Sequence, residues 1–232
     1  MKRYMQHLIR GAEIRTEQFM NKQDRDPASI QYGGIRGAIW EAKPTIYALT
    51  AAVAVYLNPD SRFYGNPQLC EAMDLALDFV GRTQREDGSF DFPSCNFKSA
   101  PDSAFCFKRL YAAWRLIKKR GKAEDTDLAV IEKKYLAIMH RALEAICTGG
   151  FHTPNHRWGI AAALLQGADL FAGEPEFAAR LKARAGQYLA EGIDGDEDGE
   201  YAERSTGNYN AVVNNAMMAM YQVTGDESFL GY

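Results

Sequence analysis

The chain has 232 residues, of which 47% are hydrophobic and 25% charged, the make-up of a globular protein large enough to bury a substantial core. Its 27 basic and 30 acidic side chains give a net charge of −3 and are spread along the whole length, which leaves no basic field for a nucleic-acid backbone or an anionic membrane. No apolar run approaches the roughly 18–20 residues that span a bilayer. The first twenty residues alternate charge with apolar side chains where a secretory signal needs an uninterrupted apolar stretch, so a cytoplasmic location is the expectation. Cys70, Cys95, Cys106 and Cys147 are far apart and form no CxxC pair, which points to free thiols rather than to a metal or redox motif.

Helical periodicity runs from end to end, and strand-like alternation is almost absent, so the predicted class is all-α. The first amphipathic segment covers residues 1–22. It is ended by a long loop in which Pro27, Gly33, Gly34 and Gly37 prevent continuation. A second helix is predicted from about Pro44 to Leu57 and a third from Pro67 to about Gln84, each proline being suited to a first turn where its missing N–H is not needed. Further helices are predicted over 101–120, 127–147, 155–172, 175–191 and 208–224, with breaks at Gly121, Gly149-Gly150, Gly173 and the acidic loop 194–200. Eight helices joined by short turns suggest antiparallel neighbours, either in a bundle or as hairpins around a toroid. A single domain spanning 1–232 is the expectation.

Two turn segments recur. Asp87-Gly88-Ser89-Phe90 and Asp198-Gly199-Glu200-Tyr201 each follow a helix and place Asp-Gly two positions before an aromatic. Glycine supplies the positive φ of a tight turn, and the aromatic can fold back onto helix ends.

Chemistry concentrates in two stretches. Phe151 to Trp158 gathers His152, Asn155, His156, Arg157 and Trp158 ahead of an apolar helix, at a helix start where free backbone N–H groups favour an anion. As plain structure, Asn155 is a possible helix cap, Trp158 a core residue and His156 a solvated imidazole. The second stretch, Asp198 to Asn210, carries Glu203, Arg204, Ser205, Asn208 and Tyr209 and leads into another apolar helix. Here Glu203-Arg204 reads equally as a surface ion pair, and Ser205 or Asn208 as a cap.

Asn155-His156-Arg157-Trp158, followed by Glu203-Arg204-Ser205 and Tyr209, resembles the heparinase II/III-like and alginate lyases. Tyr32-Gly33-Gly34, Trp40-Glu41, Lys43-Pro44-Thr45, the Asp-Gly-Ser-Phe turn and the segment 96–105 are compatible with the N-terminal half of such an enzyme. The resemblance implies an incomplete α/α toroid of about four antiparallel helical hairpins, without the later helices and the β-sandwich that many members carry. It implies β-elimination at 4-linked uronate residues of an acidic oligo- or polysaccharide, with no cofactor and no metal. Asn155, His156 and Tyr209 are then the catalytic residues: Asn155 stabilises charge on the substrate carboxylate, His156 acts as base or helps neutralise that carboxylate, and Tyr209 protonates O4 or acts as base. Tyrosine with an ordinary pKa near 10 needs a cation beside it to act as base, a role open to Arg204 or Arg157. Substrate binding falls to Arg157, Trp158, Glu203, Arg204, Trp40 and Tyr32. An open toroid flank would favour self-association.

Three other readings compete. A toroid glycoside hydrolase would need two carboxylic acids roughly 5–10 Å apart, for which Asp87, Asp102 and Glu203 are the candidates. Residues 194–199 match the opening DxDxDG of a calcium loop, but the closing glutamate position holds Ser205. A relative that binds glycans without cleaving them is the third.

Overall fold

The computed structural model describes residues 2–37, 40–121, 125–201, 203–205 and 207–231. Among the described residues eight α-helices follow one another: α1 (Lys2–Lys22), α2 (Lys43–Tyr56), α3 (Pro67–Thr83), α4 (Ala100–Arg120), α5 (Thr126–Thr148), α6 (Pro154–Leu170), α7 (Pro175–Leu189) and α8 (Tyr209–Thr224). The all-α class holds, and each helix lies within two residues of its predicted limits. Five of them begin at or one residue before a proline: Pro44, Pro67, Pro101, Pro154 and Pro175. The ring fixes φ near its helical value at a position that has no hydrogen bond to lose. Asn66 caps α3 by accepting the Leu69 N–H at 3.0 Å, and Gly225 ends α8 at φ 70°.

One short element lies outside the predicted helices. Between α3 and α4 the chain forms a two-stranded hairpin, β1 (Phe90–Phe92) and β2 (Asn96–Ser99), where little strand was expected. The only signal is the Phe-Asp-Phe alternation of β1, too short to stand out against the surrounding helical periods.

By its contacts the chain divides into two compact units. The first holds residues 1–86, 90–97 and 108–139. In it α2 packs on α1 and α3, with Ile46, Leu49, Val53, Leu69, Met73, Leu77 and Phe79 at its core, each 1% exposed or less. The loop after α1 is drawn onto α3 by Gln23, whose side-chain amide donates to the carbonyls of Gly33 and Ala72 at 3.0 and 2.8 Å. Gly33 and Gly34 lie so close to Leu75 and Phe79 that a Cβ would collide with them, at 2.4 and 2.6 Å. Lys134 on α5 bridges Asp74 and Asp78 on α3 at 2.6 and 2.7 Å.

The second unit holds residues 87–89, 98–107 and 140–232. Its centre is α6, which packs on both α7 and α8. Residues 160–164 of this helix are nearly all apolar, and Trp158, Ile160, Ala161 and Leu164 are 1% exposed or less, as suits a helix buried on most of its circumference. Small residues permit the close approach. A Cβ on Gly159 would stand 2.9 Å from the Phe105 ring, and one on Gly167 would stand 2.5 Å from Leu143. Each glycine costs about 1 kcal/mol of helix propensity, which the packing it allows must offset.

Both recurring turns are built as the sequence suggests. Gly88 and Gly199 have φ of 87° and 81°, and the aromatics two positions on, Phe90 and Tyr201, are 1% and 6% exposed. Gly88 is the tighter of the two, because a Cβ there would meet the Arg141 carbonyl oxygen at 2.0 Å, a backbone atom that cannot rotate away. Gly88→Ala is therefore expected to cost at least about 2 kcal/mol in chemical denaturation, from combined φ strain and backbone overlap. Gly199→Ala, with open space around its Cβ position, is expected to cost about 1 kcal/mol from φ alone.

Candidate functional site

The start of α6 is where the two polar stretches meet. Thr153 stands at its N-cap position in extended conformation but makes no side-chain cap; its carbonyl accepts the N–H groups of His156 and Arg157 at 3.0 and 3.4 Å, and the Asn155 N–H needs another acceptor. Glu203 provides it. Its carboxylate accepts the Asn155 backbone N–H at 2.8 Å and the Asn155 side-chain amide at 2.8 Å, across 48 residues of sequence. The second amide proton of Asn155 goes to the Thr153 hydroxyl at 3.0 Å. Asn155 is therefore not the helix cap allowed for in the sequence. It is a buried residue, 2% exposed, with both side-chain protons committed. A carboxylate at a helix N-terminus also meets the positive end of the helix dipole.

His156 follows on the half-buried side. Its ring lies edge-on to Phe105 with centroids 5.8 Å apart, and 6.2 Å from the ring of His152, in the bend that precedes α6. Phe105 is a neighbour that spacing does not reveal, because it comes from the first turns of α4, some fifty positions upstream.

Arg157 takes a different place from the one expected. Its guanidinium is 5% exposed and is held by Glu191 at 2.5 Å, by Asp194 at 2.6 Å and by the Gly192 carbonyl at 3.1 Å, while stacking over the Trp158 ring at 4.2 Å. It clamps the exit of α7 to the start of α6 and has no face left for a substrate. Trp158, 1% exposed, is a core residue, and its indole offers no platform to a sugar ring. Both are corrections to the substrate-binding set, and the reason is the same: at the start of a centrally buried helix the positions at and after 157 turn inward.

The downstream stretch reaches α8 through a short folded loop, of which Ala202 and Thr206 lie outside the described residues. Tyr201 pairs across a β-bridge with Gly195 and donates its hydroxyl to Asn214 at 2.8 Å, and burial pushes its phenol pKa up. Arg204 is exposed, has no ion-pair partner among the described residues, and adopts φ 44°, a left-handed conformation that a non-glycine residue holds at a cost. Tyr209 is the first residue of α8 and is 44% exposed. Of the two possible caps, Asn208 makes none, whereas Ser205 approaches the Tyr209 N–H at 3.4 Å through Oγ and accepts the Asn210 N–H at 3.2 Å through its carbonyl.

Trp40 and Tyr32 belong to the first unit. Trp40 is 43% exposed, and the Tyr32 carbonyl accepts a hydrogen bond from Arg82.

The carboxylates of the competing readings are occupied. Asp87 accepts the Ser89 N–H and hydroxyl at 2.9 and 2.6 Å within its turn, and Asp102 accepts the Ser99 hydroxyl at 2.7 Å at the start of α4. In the 194–199 loop Asp194 is spent on Arg157, and Asp196 accepts the N–H groups of Asp198 and Glu200 at 3.1 and 2.8 Å. Among the described residues no group of three or more His, Cys, Asp or Glu side chains is placed to hold a metal ion. No disulfide joins the four cysteines, and no helix among the described residues is long and apolar enough to cross a membrane.

No protein-family model matches this chain, and no curated protein and no solved structure matches it either.

The Glu203 latch makes a measurable contribution. Glu203→Gln keeps one acceptor but loses the charge and one of the two bonds, and is expected to cost about 1–2 kcal/mol in urea unfolding. The same variant should raise hydrogen exchange at the first turn of α6 while leaving α3 unchanged, because only the local cap is lost.

Proposed function

We propose that this chain is a polysaccharide lyase of the heparinase II/III and alginate lyase kind, built on an α/α toroid and acting on 4-linked uronates. The observation that carries the reading is the Asn155–Glu203 pair, which ties together the two stretches that hold the family-like residues. Tyr209 lies six positions beyond Glu203, on a helix packed against α6. The succession of helices joined by short turns and the paired Asp-Gly-x-aromatic turns also fit a toroid of helical hairpins.

In this reading a base removes the C5 proton, the electron pair forms the C4–C5 double bond, the C4–O bond breaks, and an acid protonates the departing O4. Tyr209 supplies the proton to O4, its half-exposed side chain being open to a substrate. His156 takes the C5 proton in one substrate configuration, and Tyr209 itself does so in the other. Arg204, exposed and unpaired among the described residues, neutralises the uronate carboxylate and so acidifies C5, the part that the buried Arg157 cannot take. Glu203 is a positioning residue that holds Asn155. For Asn155 to donate to a substrate carboxylate it must release its bond to Glu203 or to Thr153.

The test is an assay on mannuronan, guluronan and a glucuronate-containing glycosaminoglycan, following the ultraviolet absorbance of the conjugated unsaturated product. Tyr209→Phe is expected to lower the rate by about 10²–10⁴-fold, the usual worth of a general acid or base, with an unchanged melting curve. Arg204→Gln is expected to raise KM. New reducing ends appearing without the absorbing product would mean hydrolysis and would sink the lyase reading.

A further inference from the structure

The first unit carries a basic cleft that the catalytic reading does not use. Arg15, Gln18 and Lys22 project from one face of α1 at i, i+3 and i+7, and Tyr47 of α2 and Arg109 of α4 complete the lining of a cavity of about 350 Å³. Its charge is not compensated. No acidic side chain lines it, and Arg15, Lys22 and Arg109 make no ion pair among the described residues. The acids nearest in sequence are engaged elsewhere: Glu17 pairs with Arg62 at 2.8 Å, Glu13 accepts the Ser61 hydroxyl at 2.9 Å, and Asp24 accepts the Ser29 hydroxyl at 2.7 Å. In a chain of net charge −3 this is a local reversal of sign.

The guanidinium of Arg109 is set in place by stacking over the Tyr47 ring at 4.6 Å, which orients its planar fork and lowers the entropy lost on binding an anion. The adjacent Lys108 has its pKa lowered, first by burial and then by the Arg109 charge. The volume falls within the range of about 300–1,000 Å³ typical of small-molecule sites and exceeds what a single inorganic anion fills. Gln18 adds a neutral amide for hydroxyl groups.

We infer that this cleft between α1, α2 and α4 is a binding subsite for a uronate unit of an acidic oligosaccharide, with Arg15, Lys22 and Arg109 meeting the carboxylate and Gln18 the hydroxyls. The choice of a sugar acid as ligand rests on the lyase reading, whereas the anionic character rests on the cleft alone. Three cations in a bounded cavity suit one carboxylate-bearing ring better than the long phosphate track of a nucleic acid.

The test is calorimetric titration of the whole chain with a saturated hexauronate. The wild type, an Arg15→Gln/Arg109→Gln variant, a Lys22→Gln variant and an Arg204→Gln variant are compared, each first shown by its melting curve to be folded. The double variant is expected to bind about tenfold or more weakly, as when a hydrogen bond to a charged group is lost, and the Lys22 variant less so. The wild-type affinity should also fall with rising salt. Absence of hexauronate binding by the wild type overturns the inference, as does equal affinity in the double variant. Inorganic phosphate or a short single-stranded DNA binding the cleft more tightly than the hexauronate does so too. Because binding is read directly, the outcomes separate: weakening in the double variant without any elimination product sustains the subsite and removes the lyase, whereas weakening only in the Arg204 variant does the opposite.

Discussion

The second unit depends on how the start of α6 is closed. That helix begins at Pro154 with a threonine N-cap that makes no side-chain cap, so the backbone N–H of the buried Asn155 and one of its side-chain amide protons would be left without an acceptor. Unpaired buried donors of this kind cost about 1–3 kcal/mol each. Glu203 removes that cost with one carboxylate, and in doing so fixes the loop that delivers Arg204 and Tyr209 to the start of α8. The same contact is at once a helix cap, a loop anchor and the link between the two polar stretches.

Arg157 acts in the same region through charge. A guanidinium on a side chain at 5% exposure needs its donors engaged, and Glu191, Asp194 and the Gly192 carbonyl engage both of its terminal nitrogens. The two carboxylates are themselves about half exposed, so the pair gains less from Coulomb attraction than from satisfying the buried group. The effect on the site is to sort its cations. Arg157 is committed to structure, and Arg204, held at a strained φ, stays in solvent.

Charge is sorted in the first unit as well. Glu13 and Glu17 on α1 pair with Arg62, and Lys134 holds two aspartates of α3, which leaves Arg15, Lys22 and Arg109 around a cleft without acids. A nearly neutral composition thus conceals a positive cavity. Composition counts charges, whereas the field at a point depends on which of them are paired nearby.

Local sequence determined the helices, because their signals are local: apolar side chains at helical spacing, prolines at first turns, and glycines where φ must be positive, as at Gly88 and Gly199. It also marked the stretches around Asn155 and Tyr209 as places where polar groups gather at helix starts. The short hairpin at 90–99 escaped, since three residues of alternation carry too little periodicity. What only the tertiary structure decided was the use of each side chain. Asn155 and Glu203 are 48 positions apart, and Arg157 is 34 and 37 positions from its two carboxylates. No spacing rule connects residues so distant, because their meeting follows from how α6 packs on α7 and α8. That packing turned Trp158 and Arg157 inward, left Arg204 and Tyr209 in solvent, and so divided a run of chemically capable residues into those that hold the fold and those that stand at the surface.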